Sequence, residues 1–240
     1  MKTKAIFLGL ILSLSLFISC DHETIRASGE VTSREISFTE YSGLKVGNAF
    51  NVYVTFSDTE ESIRIDANEN LQDRIIVQKE DNTLIIKLQK FTSVKGNATL
   101  NAYITTKSLS KIDISGATDL TLENKWVADE ARIELSGASD FSGELAIDKL
   151  NLDMTGASGA NMFGSVANLN ADLSGSSGIR DYDLAVERLN IELSGASEAF
   201  LSINESIDIK ATGASVLYYK GNAVVNNKRL SGASEIKNRN

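Results

Sequence analysis

The sequence contains no proline, one cysteine and one histidine in 240 residues, and each scarcity removes a class of protein. With Cys20 alone, no disulfide forms within the chain. His22 stands two residues beyond it, so histidine-based nucleophilic triads and metal hydrolases have nothing to assemble from. Bases are also short: 24 Lys and Arg face 32 Asp and Glu, a formal charge of −8. Nucleic-acid affinity rests on Lys and Arg at phosphates, and this balance speaks against it. The absence of proline leaves every backbone N–H as a donor, which suits a chain in which nearly every residue has a strand on either side.

No apolar run reaches the roughly 20 residues of a transmembrane helix. Lys2 and Lys4 precede the stretch Ala5–Leu12, which continues through Leu14 and Leu16 to Ile18-Ser19-Cys20, is punctuated by Ser13, Ser15 and Ser19, and meets Asp21-His22-Glu23 at once. This reads as a signal peptide over residues 1–19. The small residue before the cysteine in Leu16-Phe17-Ile18-Ser19-Cys20 resembles the lipobox of bacterial lipoproteins, which implies that Cys20 becomes the acylated first residue. A diacylglycerol on sulfur plus an amide-linked acyl chain such as palmitate supplies the multiple-chain anchoring that one lipid lacks. Removing residues 1–19 takes away Lys2 and Lys4 and no acid, moving the formal charge from −8 to −10. Asp21 and Glu23 resemble the export signals of Bacteroidetes surface lipoproteins. The expected location is the outer membrane or cell surface, with the periplasmic face as the alternative. Residues 20–33 read as a tether.

An internal repeat organises the second half. Seven segments of the type Leu-Ser-Gly-Ala-Ser are centred on Gly116, Gly137, Gly156, Gly175, Gly195, Gly213 and Gly232, separated by 21, 19, 19, 20, 18 and 19 residues. Periods of this size mean a solenoid. Before each glycine, polarity alternates: Leu150, Leu152 and Met154 are apolar, Asn151, Asp153 and Thr155 polar. Period two is a strand with one buried face. Four positions beyond each glycine an apolar residue returns, from Leu120 and Phe141 to Leu217 and Ile236, marking a corner and a second strand. Such a coil is a β-helix rung, about 4.8 Å from its neighbour. A leucine-rich repeat fits less well, because Ala117 and Ala196 stand where that consensus places a turn-forming Asn or Cys. The last repeat carries Asn226, Lys228 and Arg229, a polar surface for a terminal coil.

From about Glu35 to Thr106 the repeat is absent but strand signals are dense, as in Phe50–Phe56 and Thr83–Leu88. Residues 34–108 therefore form either irregular first rungs or a small sheet capping the open end, and residues 109–240 form the repeats. The cysteine motif, Tyr41-Ser42-Gly43-Leu44-Lys45-Val46, Phe50-Asn51-Val52-Tyr53-Val54, Asn68-Glu69-Asn70-Leu71, and Leu109–Ala117 with its echoes together resemble the family called "putative autotransporter adhesin head domain". The resemblance implies an all-β, right-handed, single-stranded parallel β-helix on a surface lipoprotein.

The Ser-Gly-Ala-Ser turns lack the lysine of phosphate-binding loops and read as corners. Three residues before each glycine stand Asp113, Glu134, Asp153, Asp172 and Glu192, then Lys210 and Arg229, an outward column flanked by Asn151, Asn170 and Asn190 and by Ser136, Thr155, Ser174 and Ser194. The column reads as a solubilising face; a weak divalent-cation surface is the alternative use of the acids. Phe141, Phe163, Tyr182, Phe200, Tyr218 and Tyr219 read as scattered, against a sugar-stacking platform. The repeat spacing leaves no room for the long insertions that build polysaccharide-enzyme clefts. The expectation is a non-enzymatic, cofactor-free binding, adhesion or structural module, held to a membrane by lipid, with a glycan or protein ligand and no nucleic acid. A polysaccharide-active β-helix enzyme is the competing class.

Overall fold

Alternation decides what is inside. In the structure, a computed structural model that describes residues 23–240, Leu150, Leu152, Met154, Leu169, Leu173, Leu189, Ile191 and Leu193 are buried while the residues between them point outward. Successive repeats pair in parallel, Leu152 opposite Ala171 and Ala171 opposite Ile191, so like side chains stack into interior columns. The result is the expected β-helix. The expected signal peptide over residues 1–19, Cys20 and His22 lie outside the described residues.

Each coil has one sharp corner. Asp140–Met154 and Gly159–Leu173 run as single strands, whereas the chain leaves strand geometry at the glycine turn. From Gly116 to Gly232 every turn glycine has φ between +71° and +81°. A Cβ on Gly137, Gly156, Gly175, Gly195 or Gly213 would lie 2.5–2.6 Å from the carbonyl oxygen of the glycine one coil earlier. That oxygen accepts a hydrogen bond from the residue after the next glycine, at 2.7 Å for Ala138 to Gly116 and Ala157 to Gly137. The turn needs a positive φ and an empty Cβ position, and only glycine meets both freely.

Just after each turn sits a hydroxyl that faces inward. Thr118, Ser139, Ser158, Ser177, Ser197 and Ser215 are buried, and the Ala or Ser between glycine and hydroxyl is exposed. Oγ of Ser177 donates to the Ser174 carbonyl at 2.9 Å, as Ser197 does to Ser194 and Ser215 to Thr212 at 3.0 Å. These three close their turns from within, as a short polar side chain does in an ST-type turn.

The N-terminal region is both of its alternatives at once. Gly43–Val46 and Asn51–Phe56 form a coil that pairs in parallel with the first repeat strands Lys111–Ile114 and Asp119–Leu122. Thr83–Leu88 and Leu100–Thr106 pair with that same coil from its other side. The chain thus lays down its second coil before its first. Antiparallel strands then close the end: Ile75–Glu80 on Thr83–Leu88, Ser62–Asn68 on Leu100–Thr106, and Val31–Ile36 outermost. Between them a 3-10 turn, Glu69–Arg74, inserts Leu71 fully into the core. The tether expected over residues 20–33 needs correction. Glu23–Arg26 is a strand paired in parallel with Thr92–Lys95, and Val31–Ile36 belongs to the cap. These segments are short and largely exposed, which hid them among loop signals.

Two pairs of variants test this architecture by thermal unfolding. Gly175→Ala places a methyl in a left-handed backbone, about 1–2 kcal/mol from that alone, and drives it against Gly156. Gly178→Ala meets nothing nearer than a carbonyl at 3.4 Å and should leave Tm unchanged or slightly raised. Leu173→Asp buries an unpaired carboxylate and should cost several kcal/mol, while Asp172→Leu, on the outer face, should not. Equal Tm values within either pair would overturn the register.

Candidate functional site

The outward acidic column exists in register: Asp113, Glu134, Asp153, Asp172 and Glu192 stand opposite one another in turn, followed by Lys210 and Arg229, with Lys45 before Asp113. Its charges are not left to repel. Lys45 Nζ lies 2.5 Å from Asp113, Lys111 Nζ 2.8 Å from Glu134, and Lys210 Nζ 2.8 Å from Glu192. Arg132 reaches Glu134 through Nε and Asp153 through Nη2, both at 2.5 Å. Lys111 and Arg132 belong to the neighbouring column, the one that continues as Asn151, Asn170 and Asn190. The acids alone, read three positions before each glycine, concealed these cations two positions earlier.

The pairing sets the titration of the column. Burial pushes the Glu134 carboxyl up, but hydrogen bonds and charge from Lys111 and Arg132 together outweigh it and hold the group below its ordinary value. Asp172, by contrast, makes no ion pair among the described residues. Partial burial raises its pKa, and the carboxylates of Glu192 and Asp153 add to that against a smaller opposing pull from Lys210. Among the described residues no group of three or more His, Cys, Asp or Glu side chains converges in the way a metal ion requires. In the Asn ladder beside the acids, Asn170 Nδ2 donates to Asn151 Oδ1 at 3.2 Å.

A raised folded-state pKa means that folding favours the neutral acid. The favourable contribution is therefore complete below the ordinary carboxylate range and is lost as pH rises through the raised value. Asp172→Asn should raise Tm at pH 7, and that gain should shrink to nothing in acid, where the wild-type carboxyl is neutral both folded and unfolded. A variant less stable than wild type at pH 7 would show that Asp172 has a partner.

The aromatic residues require a correction. Phe141 and Tyr219 are buried in the core, but Tyr182, Phe200 and Tyr218 are gathered rather than scattered. Phe200 stacks on Tyr218 with centroids 4.7 Å apart and planes at 12°, and Tyr182 meets Phe200 edge-on at 5.5 Å. Lys220 lies over Tyr182, and Lys237 and Arg239 lie over Tyr218. A second stack lies toward the capped end, Tyr53 on Tyr103 at 5.0 Å with Arg64 above the Tyr103 ring. Each stack holds one face-to-face pair, Phe200 on Tyr218 and Tyr53 on Tyr103, and each has Lys or Arg side chains lying over its rings.

Chemistry needs a convergent set of groups, and the outward side chains diverge. Tyr41 is the one strongly shifted acid among the described residues: burial pushes its phenol up to about 12, with Glu61 adding to the rise and the Thr106 hydroxyl opposing it. It stays neutral and inside. Ser139 and Ser158 Oγ are buried without a hydrogen-bond partner.

With this geometry in hand, known proteins can be compared. A model of the family described as "putative auto-transporter adhesin, head GIN domain" matches residues 40–223, from the start of the second coil almost to the last. The chain is similar to the crystal structure of a "putative adhesin" from Bacteroides fragilis NCTC 9343, with 25% identity and a TM-score of 0.84 over 90% of this chain and 100% of that one. Two structures share the fold at 16% identity: a "putative adhesin" from Parabacteroides merdae ATCC 43184, TM-score 0.72 over 90% of this chain and 99% of that one, and a "putative lipid binding protein" from Parabacteroides distasonis ATCC 8503, TM-score 0.73 over 91% and 100%. No curated protein matches the chain. The match across residues 40–223 makes this protein a member of the family described as putative auto-transporter adhesin, head GIN domain.

Proposed function

We propose that this protein is a non-enzymatic adhesion module of the cell surface, carried on the membrane by acyl chains at Cys20 and acting through its outward faces. The observation that carries the reading is the unbroken stack of coils from Gly116 to Gly232, whose corners leave no insertion large enough to enclose a substrate. Such a stack supplies repeated, parallel rows of side chains at about 4.8 Å intervals, an arrangement suited to an extended ligand held by many weak contacts rather than a small one held in a pocket. The family description and the B. fragilis structure, named an adhesin, support the same class. The apolar run ending in Ser19-Cys20 supports the lipid anchor.

Whole-cell proteolysis paired with a glycan and matrix-protein binding screen tests the reading. Intact cells should lose the protein to added protease, and cells lacking it should bind at least one ligand class less well. Cys20→Ala should appear in the soluble fraction instead of the membrane pellet. Retention in the pellet after a high-salt wash would refute the lipid anchor, and hydrolysis of a tested polysaccharide by the purified protein would refute the non-enzymatic reading.

A further inference from the structure

The way the chain enters the fold fixes which part of the surface lies nearest Cys20. Glu23 is already in a strand: its N–H donates to the Phe91 carbonyl at 3.0 Å, and it pairs with Thr92. Arg74 holds its carboxylate at 2.7 Å. Two residues, Asp21 and His22, separate Cys20 from Glu23, and the three fully extended Cα–Cα steps reach about 11 Å. Acyl chains on that sulfur would therefore bring this edge against the bilayer.

Beside that entry point lies a groove of about 600 Å³ whose lining includes Ile85, Lys87, Leu88, Lys90 and Thr92, together with Lys45 and Glu80. The segment that builds it, residues 83–95, holds Lys87, Lys90 and Lys95 and no acid. Among the described residues none of these three lysines is within ion-pairing distance of a carboxylate, whereas the cations of the acidic column are paired. Glu80, across the groove, instead accepts a hydrogen bond from Gln78 Nε2 at 2.6 Å. Phe91 is 55% exposed, and its carbonyl accepts from the Glu23 N–H where the chain enters the fold. In a protein whose net charge is −8, an acid-free lysine segment with an exposed aromatic at the point of chain entry is the reverse of the surrounding surface.

We propose that this groove is a lipid-headgroup site, in which Lys87 and Lys90 take the phosphate of anionic lipids in the bilayer that holds Cys20. The proposal rests on acylation at Cys20. Lysines near an anionic surface gain attraction that falls off within a Debye length. The domain is thereby held flat to the membrane at its capped end, with its last coil directed away.

The test uses the full-length acylated protein in vesicles of phosphatidylcholine alone or with phosphatidylglycerol. Because Cys20 is the only native cysteine and is blocked by lipid, a fluorophore can be placed at Thr92→Cys or at Asn222→Cys, and quenching by lipids brominated near the headgroup gives depth. The label at position 92 should be quenched and the one at 222 should not. Phosphatidylglycerol should deepen the first, and Lys87→Gln with Lys90→Gln should abolish that increment, as should 0.5 M salt. On the Cys20→Ser chain, which has no lipid, the two lysines should together be worth about 25-fold in partitioning to phosphatidylglycerol vesicles, at about fivefold each. Quenching at 92 that ignores both phosphatidylglycerol and the lysines would overturn the headgroup site, leaving apposition by the anchor alone. Equal, weak quenching at both positions on protein whose mass shows acylated Cys20 would overturn the orientation. An unmodified Cys20 mass would instead sink the lipoprotein reading itself, and circular dichroism of each variant separates these results from misfolding.

Discussion

From Gly116 onward every coil turns where one glycine lies on another, and the rest of the solenoid follows from that contact. The carbonyl of one glycine accepts from the residue after the next glycine at about 2.7 Å, and the Cβ position of each is filled by the oxygen of the last. A side chain there would force the coils apart at one corner while the strands on either side held them together. With the corners fixed, each coil's register on its neighbour is fixed too, because a slip of one residue would turn every interior side chain outward. Leu, Ile and Met columns, the buried hydroxyls and the outer charge rows are consequences of that one alignment.

The same alignment explains how an acidic chain tolerates acids stacked on acids. Outward columns bring like residues together whether or not they attract, so compensation has to come from the next column. Lys111 and Arg132 reach diagonally to Glu134 and Asp153, and Lys45 and Lys210 close the two ends. Exposed pairs of this kind contribute little individually. Their effect is to remove repulsion that the repeat would otherwise build in, and it lapses at Asp172, where the neighbouring column has changed from cations to Asn170 and Asn190.

What could be read from the sequence was what repeats locally. The glycine period and the alternation before it are visible within 20 residues, and the strands, interior columns and acidic register were legible from them. The second coil was not, because its corner is held by Asn48, with φ +79°, in place of glycine. Asn tolerates the left-handed region, and its side chain additionally accepts from the Leu88 N–H at 2.8 Å. Nor was its place in the stack: Lys45 pairs with Asp113 across 68 residues, a separation that no local period encodes. Tyr182, Phe200 and Tyr218 are 18 residues apart, but Phe200 and Tyr218 meet by strand register whereas Tyr182 arrives from the turn after Arg180.

The two ends of the solenoid solve the problem of exposed strand edges differently. At the start, antiparallel strands from Val31–Ile36, Ser62–Asn68 and Ile75–Glu80 cover the first coil, and Leu71 seals the interior. At the finish, Val224–Leu230 and Glu235–Asn238 bury little, and Asn227, Lys228 and Arg229 lie exposed along the last coil. Cations along an edge strand discourage another strand from pairing. The sequence cost of the two solutions differs, since the first takes the non-repeating residues 23–108 and the second only a change of residue type within one more repeat.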